Sequence, residues 1–327
     1  MNVISVNSLW KEFPIQIRKK GFLGGIASLF SREYVIKTAL DHVSFNIDEG
    51  ELIGYIGPNG AGKSTTVKIL SGILVPNGGE VKVMNKTPWE NRVETVRQLG
   101  VVFGQRTQLW WDLPVIESFE LLKDIYRVSN TSYKRTLDLL TDRLELSKLF
   151  NVPVRQLSLG QRMRCDIAAS LLHEPKILFL DEPTIGLDAV SKLAVRDFVR
   201  YLNKERKVTI LLTTHDMDDI ESLCSRVLIL SEGKIFLDGT LEALRKKMAP
   251  ERRLIVDLLN ENETIRDPQA ALIKQEGHRV WLRFDPTLVT TPELISRVTS
   301  KHPIRDLYVE NPPIEEIIAR FYQNANL

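Results

Sequence analysis

Residues 57–64 read Gly57-Pro58-Asn59-Gly60-Ala61-Gly62-Lys63-Ser64 and follow the apolar run at 52–56. Glycines at this spacing let successive backbone N–H groups turn inward on phosphate oxygens, and a helix starting near Lys63 adds the positive end of its dipole. The Lys63 ammonium then reaches the β- and γ-phosphates, and the Ser64 hydroxyl, with Thr65 beside it, stands where Mg²⁺ is ligated. A full G-x-x-x-x-G-K-S between strand-like and helix-like segments predicts binding of a nucleoside triphosphate.

A second constellation completes that chemistry. The apolar run at 176–180 ends in Asp181-Glu182-Pro183. Beside a phosphate loop, the first acid holds Mg²⁺ and the second activates the water that attacks the γ-phosphate, so Asp181 is the expected metal residue and Glu182 the expected general base. His215 closes a third apolar run at 209–214, and Gln105 closes a fourth at 101–104.

The elements that must position these residues are short, uniformly apolar strands, as a sheet buried on both faces requires. At 327 residues the chain has room for a large domain and a smaller one. Lys+Arg 44 against Asp+Glu 42 leaves a net charge of +2, which argues against a protein that coats a polyanion. Cys165 and Cys224 have no partner at metal-site spacing, which fits a reducing compartment, with the cytoplasm as the expected location. No stretch reaches the roughly 18 apolar residues of a membrane span, the N-terminus does not read as a signal peptide, and no internal repeat is visible.

Residues 151–162 include Leu157-Ser158-Leu159-Gly160-Gln161-Arg162 ahead of a helical pattern. The order of phosphate loop, L-S-x-G-Q-R and strand with D-E-P resembles the ATP-binding subunits of ABC transporters, over roughly residues 1–245. The resemblance implies an α/β P-loop NTPase fold: a RecA-like core, an antiparallel β-subdomain and a helical subdomain at about 105–172. It implies ATP and Mg²⁺ as cofactors, Gln105 as a γ-phosphate and Mg²⁺ contact, Gly186-Leu187-Asp188 as the D-loop and His215 as the switch histidine. Tyr34, 23 residues before Gly57, matches the place of the aromatic that stacks on adenine. Leu159 departs from the family's L-S-G-G-Q, while Ser158 and Gly160 are retained.

The same resemblance places Ser158, Gly160 and Gln161 away from the phosphate loop of their own chain. Two copies, identical or paralogous, are therefore expected to meet head to tail around ATP. Integral membrane permease subunits are the implied partners, with the chain peripheral on the cytoplasmic face, no nucleic acid bound and export as the expected direction. The alternatives are an importer ATPase and a soluble ABC-type ATPase acting on ribosomes or DNA.

Two regions keep two readings each. Trp110 and Trp111 suit either a contact surface for a membrane subunit or the core of the helical part. The basic, apolar stretch at 14–33 suits either a lip on anionic lipid, through Arg18, Lys19, Lys20, Phe22, Leu29 and Phe30, or a short helix packed on the neighbouring lobe. Past a strand pair at 227–230 and 234–237 and a charged helix at 241–247, the tail at 250–327 predicts strands at 253–259, 278–284 and 304–309 and helices at 292–300 and 313–322. This small α/β domain resembles the C-terminal domains of drug- and sodium-exporter ATPases and is expected to brace a dimer.

Overall fold

Pairing organises the start of the chain. β1 (Asn2–Gln16) and β2 (Tyr34–Asp48) run antiparallel, in a register that sets Phe13 against Lys37 and Gln16 against Tyr34. β3 (Leu52–Ile56) follows, and α1 (Lys63–Leu70) starts directly after the glycine loop. β4 (Gly78–Val83) joins the other edge of β1 to make a three-stranded antiparallel sheet. The structure, a computed structural model, describes residues 2–16, 34–104, 106–248, 251–261, 263–313 and 316–318. Gln105 and most of the stretch expected at 14–33 lie outside the described residues.

After the short α2 (Arg92–Val96) the chain enters β5 (Leu99–Phe103). The helical part holds α3 (Val115–Tyr126), α4 (Asn130–Leu144) and α5 (Leu159–Leu171), and returns through β6 (Ile177–Asp181). α6 (Ala189–Lys204), β7 (Thr209–Thr213), α7 (Met217–Leu223), β8 (Arg226–Ser231) and β9 (Lys234–Thr240) complete the main unit. Six strands form one sheet in the order β5-β6-β7-β3-β8-β9, and the pairs from β5 through β8 are parallel. β3 and β7 are buried at every position, which is why their runs are apolar without alternation. Because the strands are parallel, the loops after β3, β5, β6 and β7 gather at one end of the sheet, where open α/β sheets bind ligands. Tyr55, Phe45, Phe179, Leu211 and Leu228 belong to one buried core cluster beneath that end; each such side chain removed from water contributes about 1.5–3 kcal/mol.

The chain divides into two compact units, Met1–Gly239 and Thr240–Leu327. The second begins with α8 (Leu241–Met248) and contains β10 (Arg252–Leu258), β11 (Ala270–Glu276), β12 (Arg279–Phe284), α9 (Thr291–Lys301) and β13 (Ile304–Glu310). Its sheet order is β11-β12-β10-β13, antiparallel throughout, as in split βαβ topologies. Leu254, Val256, Leu258, Val280, Leu282 and Phe284 alternate inward and share a core with Leu294 and Val298 of α9. β11 was not foreseen. It is an edge strand whose only buried residue is Ala270, with a register shift between Leu272 and Lys274, so it carries no periodic pattern to read. Of the helix expected at 313–322, residues 316–318 are described and helical, and 319–327 lie outside the described residues.

Among the described residues no helix is long and apolar enough to cross a membrane.

Candidate functional site

The glycine loop is shaped by close approaches that leave no room for side chains. A Cβ on Gly57 would lie 2.4 Å from the Leu230 carbonyl oxygen. Gly62 sits at φ 111°, and a Cβ there would lie 2.4 Å from the Ala39 carbonyl oxygen. Lys63 extends across the loop and donates to the carbonyls of Gly57 at 2.5 Å and Pro58 at 3.1 Å. Burial lowers its pKa, opposed by the nearby Glu182 and Asp181 carboxylates. Behind the loop, Thr66 accepts or donates to the buried Tyr55 hydroxyl at 3.0 Å and donates to Gly62 O at 3.2 Å.

The carboxylates arrive on the end of β6. Thr213 at the end of β7 donates to Asp181, and the Glu182 N–H donates to Thr213 O at 2.8 Å. Glu182 has φ 56°, a left-handed conformation that costs energy for a non-glycine residue and is a common mark of functional sites. His215 Nδ1 lies 3.4 Å from Glu182 Oε1. The Gly104 N–H donates to Asp181 O at 2.7 Å, and the Arg106 N–H donates to Phe103 O at 3.0 Å, so both neighbours of Gln105 are pinned to the strand ends.

These groups share one cavity of about 770 Å³, lined by Pro58, Asn59, Ser64, Asp181, Glu182 and His215 among others. A second recess, over Gly60, Gly62, Lys63 and Thr65, is walled by Phe13, Ile15, Lys37 and Ala39. Tyr34 is not part of either wall. It pairs with Gln16 and is half exposed, and the aromatic beside the glycine loop is Phe13, whose ring has Lys11 Nζ 5.3 Å from its centre. Alternation on β1 puts Lys11, Phe13 and Ile15 on one face, a signal present in the sequence but decided only by the pairing with β2.

Ser158, Gly160, Gln161 and Asp188 line neither recess. They are joined to one another instead. Ser158 caps α5 in a reciprocal box: its Oγ accepts from the Gln161 N–H at 3.2 Å, and Gln161 Oε1 accepts from the Ser158 N–H at 2.9 Å. A Cβ on Gly160 would lie 2.7 Å from Ser191 Oγ, and one on Gly186 would lie 2.8 Å from Leu159, so the α5 end sits directly on the start of α6. Asp188 caps α6 by accepting from Ser191 N and Oγ, both at 2.9 Å, which holds its carboxyl below the usual range. Val190 and Leu193, on the same helix, are 77% and 57% exposed. Trp110 and Trp111 are 39% and 50% exposed, so the tryptophan pair lies at the surface and not in the core of the helical part.

One supporting cluster had no signal in the sequence. The buried Asp219 accepts from Thr184 and from Arg196 Nε at 2.5 Å, while Asp216 accepts from Lys192 at 2.5 Å and pairs with Arg196 at 3.3 Å. This network ties α6 and α7 behind the loops that carry Glu182 and His215.

A family model described as "ABC transporter" matches residues 40–185. The chain is 34% identical over 217 residues to the probable multidrug ABC transporter ATP-binding protein YbhF of Escherichia coli, covering 66% of this chain and 37% of that protein. It is 32% identical to the ABC transporter ATP-binding protein NatA of Bacillus subtilis over 213 residues, covering 65% of this chain and 86% of that one. The methionine import ATP-binding protein MetN of Latilactobacillus sakei is 29% identical over 304 residues, 90% of this chain and 87% of its own length. Among solved structures, the dimeric post-hydrolysis state of the ATP-binding cassette MJ0796 bound to ADP and Pi aligns with a TM-score of 0.60 and 28% identity, covering 73% of this chain and 98% of that one. The chain therefore belongs to the ABC transporter family, as one of its ATP-binding proteins, and has the family's P-loop ATPase fold.

Proposed function

We propose that this chain binds MgATP in the cavity between the glycine loop and the β6 end, hydrolyses it within a head-to-tail pair of ATPase copies, and drives export through separate membrane subunits. The observation that carries the reading is the convergence of Ser64, Asp181, Glu182 and His215 on the cavity that the glycine loop walls. The loop amides and Lys63 bind the phosphates. Ser64 and Asp181 offer hard oxygen donors on one wall, which fits Mg²⁺, and Gln105 completes the set by family likeness. A bound Mg²⁺ supplies neutralisation of charge on the β- and γ-phosphate oxygens. Glu182 takes the proton of the attacking water, and His215 holds the Glu182 carboxylate in place. Phe13 walls the recess over the glycine loop and offers an adenine an aromatic face there.

Ser158, Gly160 and Gln161 do not line this cavity, which supports a role for them at the nucleotide of the second copy. Ser158 Oγ already accepts the Gln161 N–H, and its own proton remains to be donated to a γ-phosphate. Loss of that phosphate removes charge-assisted hydrogen bonds held by both copies and reopens the pair. The exposed Trp110–Trp111 turn is the docking face for the membrane subunit, on the cytoplasmic side.

Glu182→Gln tests the core of the reading. With ATP it accumulates as a pair in sedimentation velocity and turns over at least about 10²-fold more slowly; a single-copy species at saturating ATP refutes it. Export is supported by the relative named for multidrug transport. Import is the second reading, favoured by the methionine import relative, whose match extends into the second unit. Neighbouring reading frames separate them: a substrate-binding protein beside the membrane subunits would overturn export.

A further inference from the structure

Asp166 lies on α5, eight residues past Ser158 and so about 12 Å along the helix axis. Its neighbours Cys165, Ile167, Ala168 and Ala169 are buried apolar residues, and Asp166 itself is 4% exposed. A carboxylate in such a place is costly unless its oxygens are satisfied. Here the turn that follows Gln105 supplies two donors to one of those oxygens, Oδ1. Asp166 Oδ1 accepts from Thr107 Oγ1 at 2.8 Å and from the Gln108 N–H at 3.0 Å, and its backbone carbonyl accepts from Gln108 Nε2 at 2.8 Å. Thr107 Oγ1 in turn accepts from the Leu109 N–H at 3.1 Å. Further along the same segment, the Arg155 N–H donates to Trp111 O at 3.0 Å, Arg155 pairs with Asp112 at 2.9 Å, and Arg162 lies 5.7 Å over the Trp111 ring.

Two different anchors therefore follow one another along this segment. Gly104 and Arg106, on either side of residue 105, are bonded to the strand ends at the cavity, and the next two residues, Thr107 and Gln108, are bonded to α5. Resting on the two-copy reading above, we infer that Asp166 is a positioning residue: it locks the turn after Gln105 to the helix that ends in Ser158, Gly160 and Gln161. Through it, the loop at a copy's own nucleotide and the α5 end offered to the partner's nucleotide move as one body. Burial pushes the Asp166 carboxyl up to about 6, against the hydrogen bonds from Thr107 and Gln108, which is consistent with a group retained for its bonds at a cost in desolvation.

The test uses full-length chain carrying Glu182→Gln, with sedimentation velocity read across an ATP titration. Adding Asp166→Ala raises the ATP concentration for half-maximal pairing roughly tenfold, the size of a typical coupling between sites. Binding of a fluorescent ATP analogue, measured at dilutions where no pairs form, stays within about twofold. Asp166→Asn keeps a carbonyl oxygen that accepts the same two bonds and restores pairing, while Thr107→Val, which leaves α5 untouched, shifts pairing in the same direction as Asp166→Ala by a smaller factor. Pairing of Asp166→Ala at the parental ATP concentration overturns the inference, and so does an equal loss of single-copy nucleotide binding, which would mark a merely structural role. A Glu182→Gln parent that never pairs overturns the two-copy reading itself, a result distinct from a pairing parent with an indifferent Asp166→Ala.

Discussion

The glycine loop at 57–64 and the serine end of α5 both offer hydrogen-bond donors to a phosphate, yet they are built in opposite ways. The loop is held by backbone: Gly57 and Gly62 touch the carbonyls of Leu230 and Ala39, and Lys63 folds over carbonyls of the loop itself. The α5 end is held by side chains, in the Ser158–Gln161 box and on Ser191. The first is packed into the six-stranded sheet and is nearly complete within one chain. The second is a helix terminus closed by its own capping box, with Ser158 exposed. A half-site of each kind on one molecule is the arrangement expected where two copies complete each other's sites, and the contrast makes the two halves separable by mutation.

The largest effect belongs to the packed half. Asp219→Ala strips the buried Thr184 and the partly buried Arg196 of their shared acceptor; Arg196 keeps Asp216, so the loss is about 2–3 kcal/mol, at or below the lower end of the range for a buried pair broken from one side. Chemical denaturation should report that loss, and a change below about 1 kcal/mol would show that the network does not brace the cavity. Lys63→Ala should lower hydrolysis by about 10²–10³-fold and weaken nucleotide binding by the single copy, measured by analogue fluorescence. Ser158→Ala should do the reverse: binding by the single copy is unchanged, turnover falls about tenfold, and the lost cap costs about 1 kcal/mol. Equal loss of single-copy binding in Lys63→Ala and Ser158→Ala would erase the distinction between the halves.

Legibility followed how local each constraint is. The phosphate loop, Asp181-Glu182 and His215 were readable because each sits at the end of a short apolar strand, and parallel strands bring such ends together without further information. The aromatic that walls the recess over the loop was not. The family resemblance pointed to Tyr34, whereas the register that pairs Tyr34 with Gln16 and Lys37 with Phe13 leaves Phe13, not Tyr34, in the wall of that recess. Thr184, Arg196 and Asp219 are separated along the chain and meet only through packing of α6 against α7, so no local pattern announces them. In the second unit the inward-alternating strands were visible, whereas β11 at the sheet edge had no apolar face to betray it.

Asp166 gives the smallest effect and the sharpest one, because its sign is fixed. Burial pushes its carboxyl up to about 6 in the fold, above the ordinary aspartate value of 3.8, so the native state binds the proton more tightly than the unfolded chain. Stability from that protonation is complete below the unfolded value and is lost as pH rises through about 6. Between pH 5 and 7.5 the loss from this group is about 1 kcal/mol. The groups facing it are the Thr107 hydroxyl, the Gln108 amide and the Arg162 guanidinium. Asp166→Asn keeps an acceptor for Thr107 and Gln108 but has no proton to bind, so the difference in unfolding free energy between parent and variant should slope with pH across this window. Parallel curves would mean that the buried carboxylate is solvated in solution, and the lock between α5 and the turn after Gln105 would then be looser than its hydrogen bonds imply.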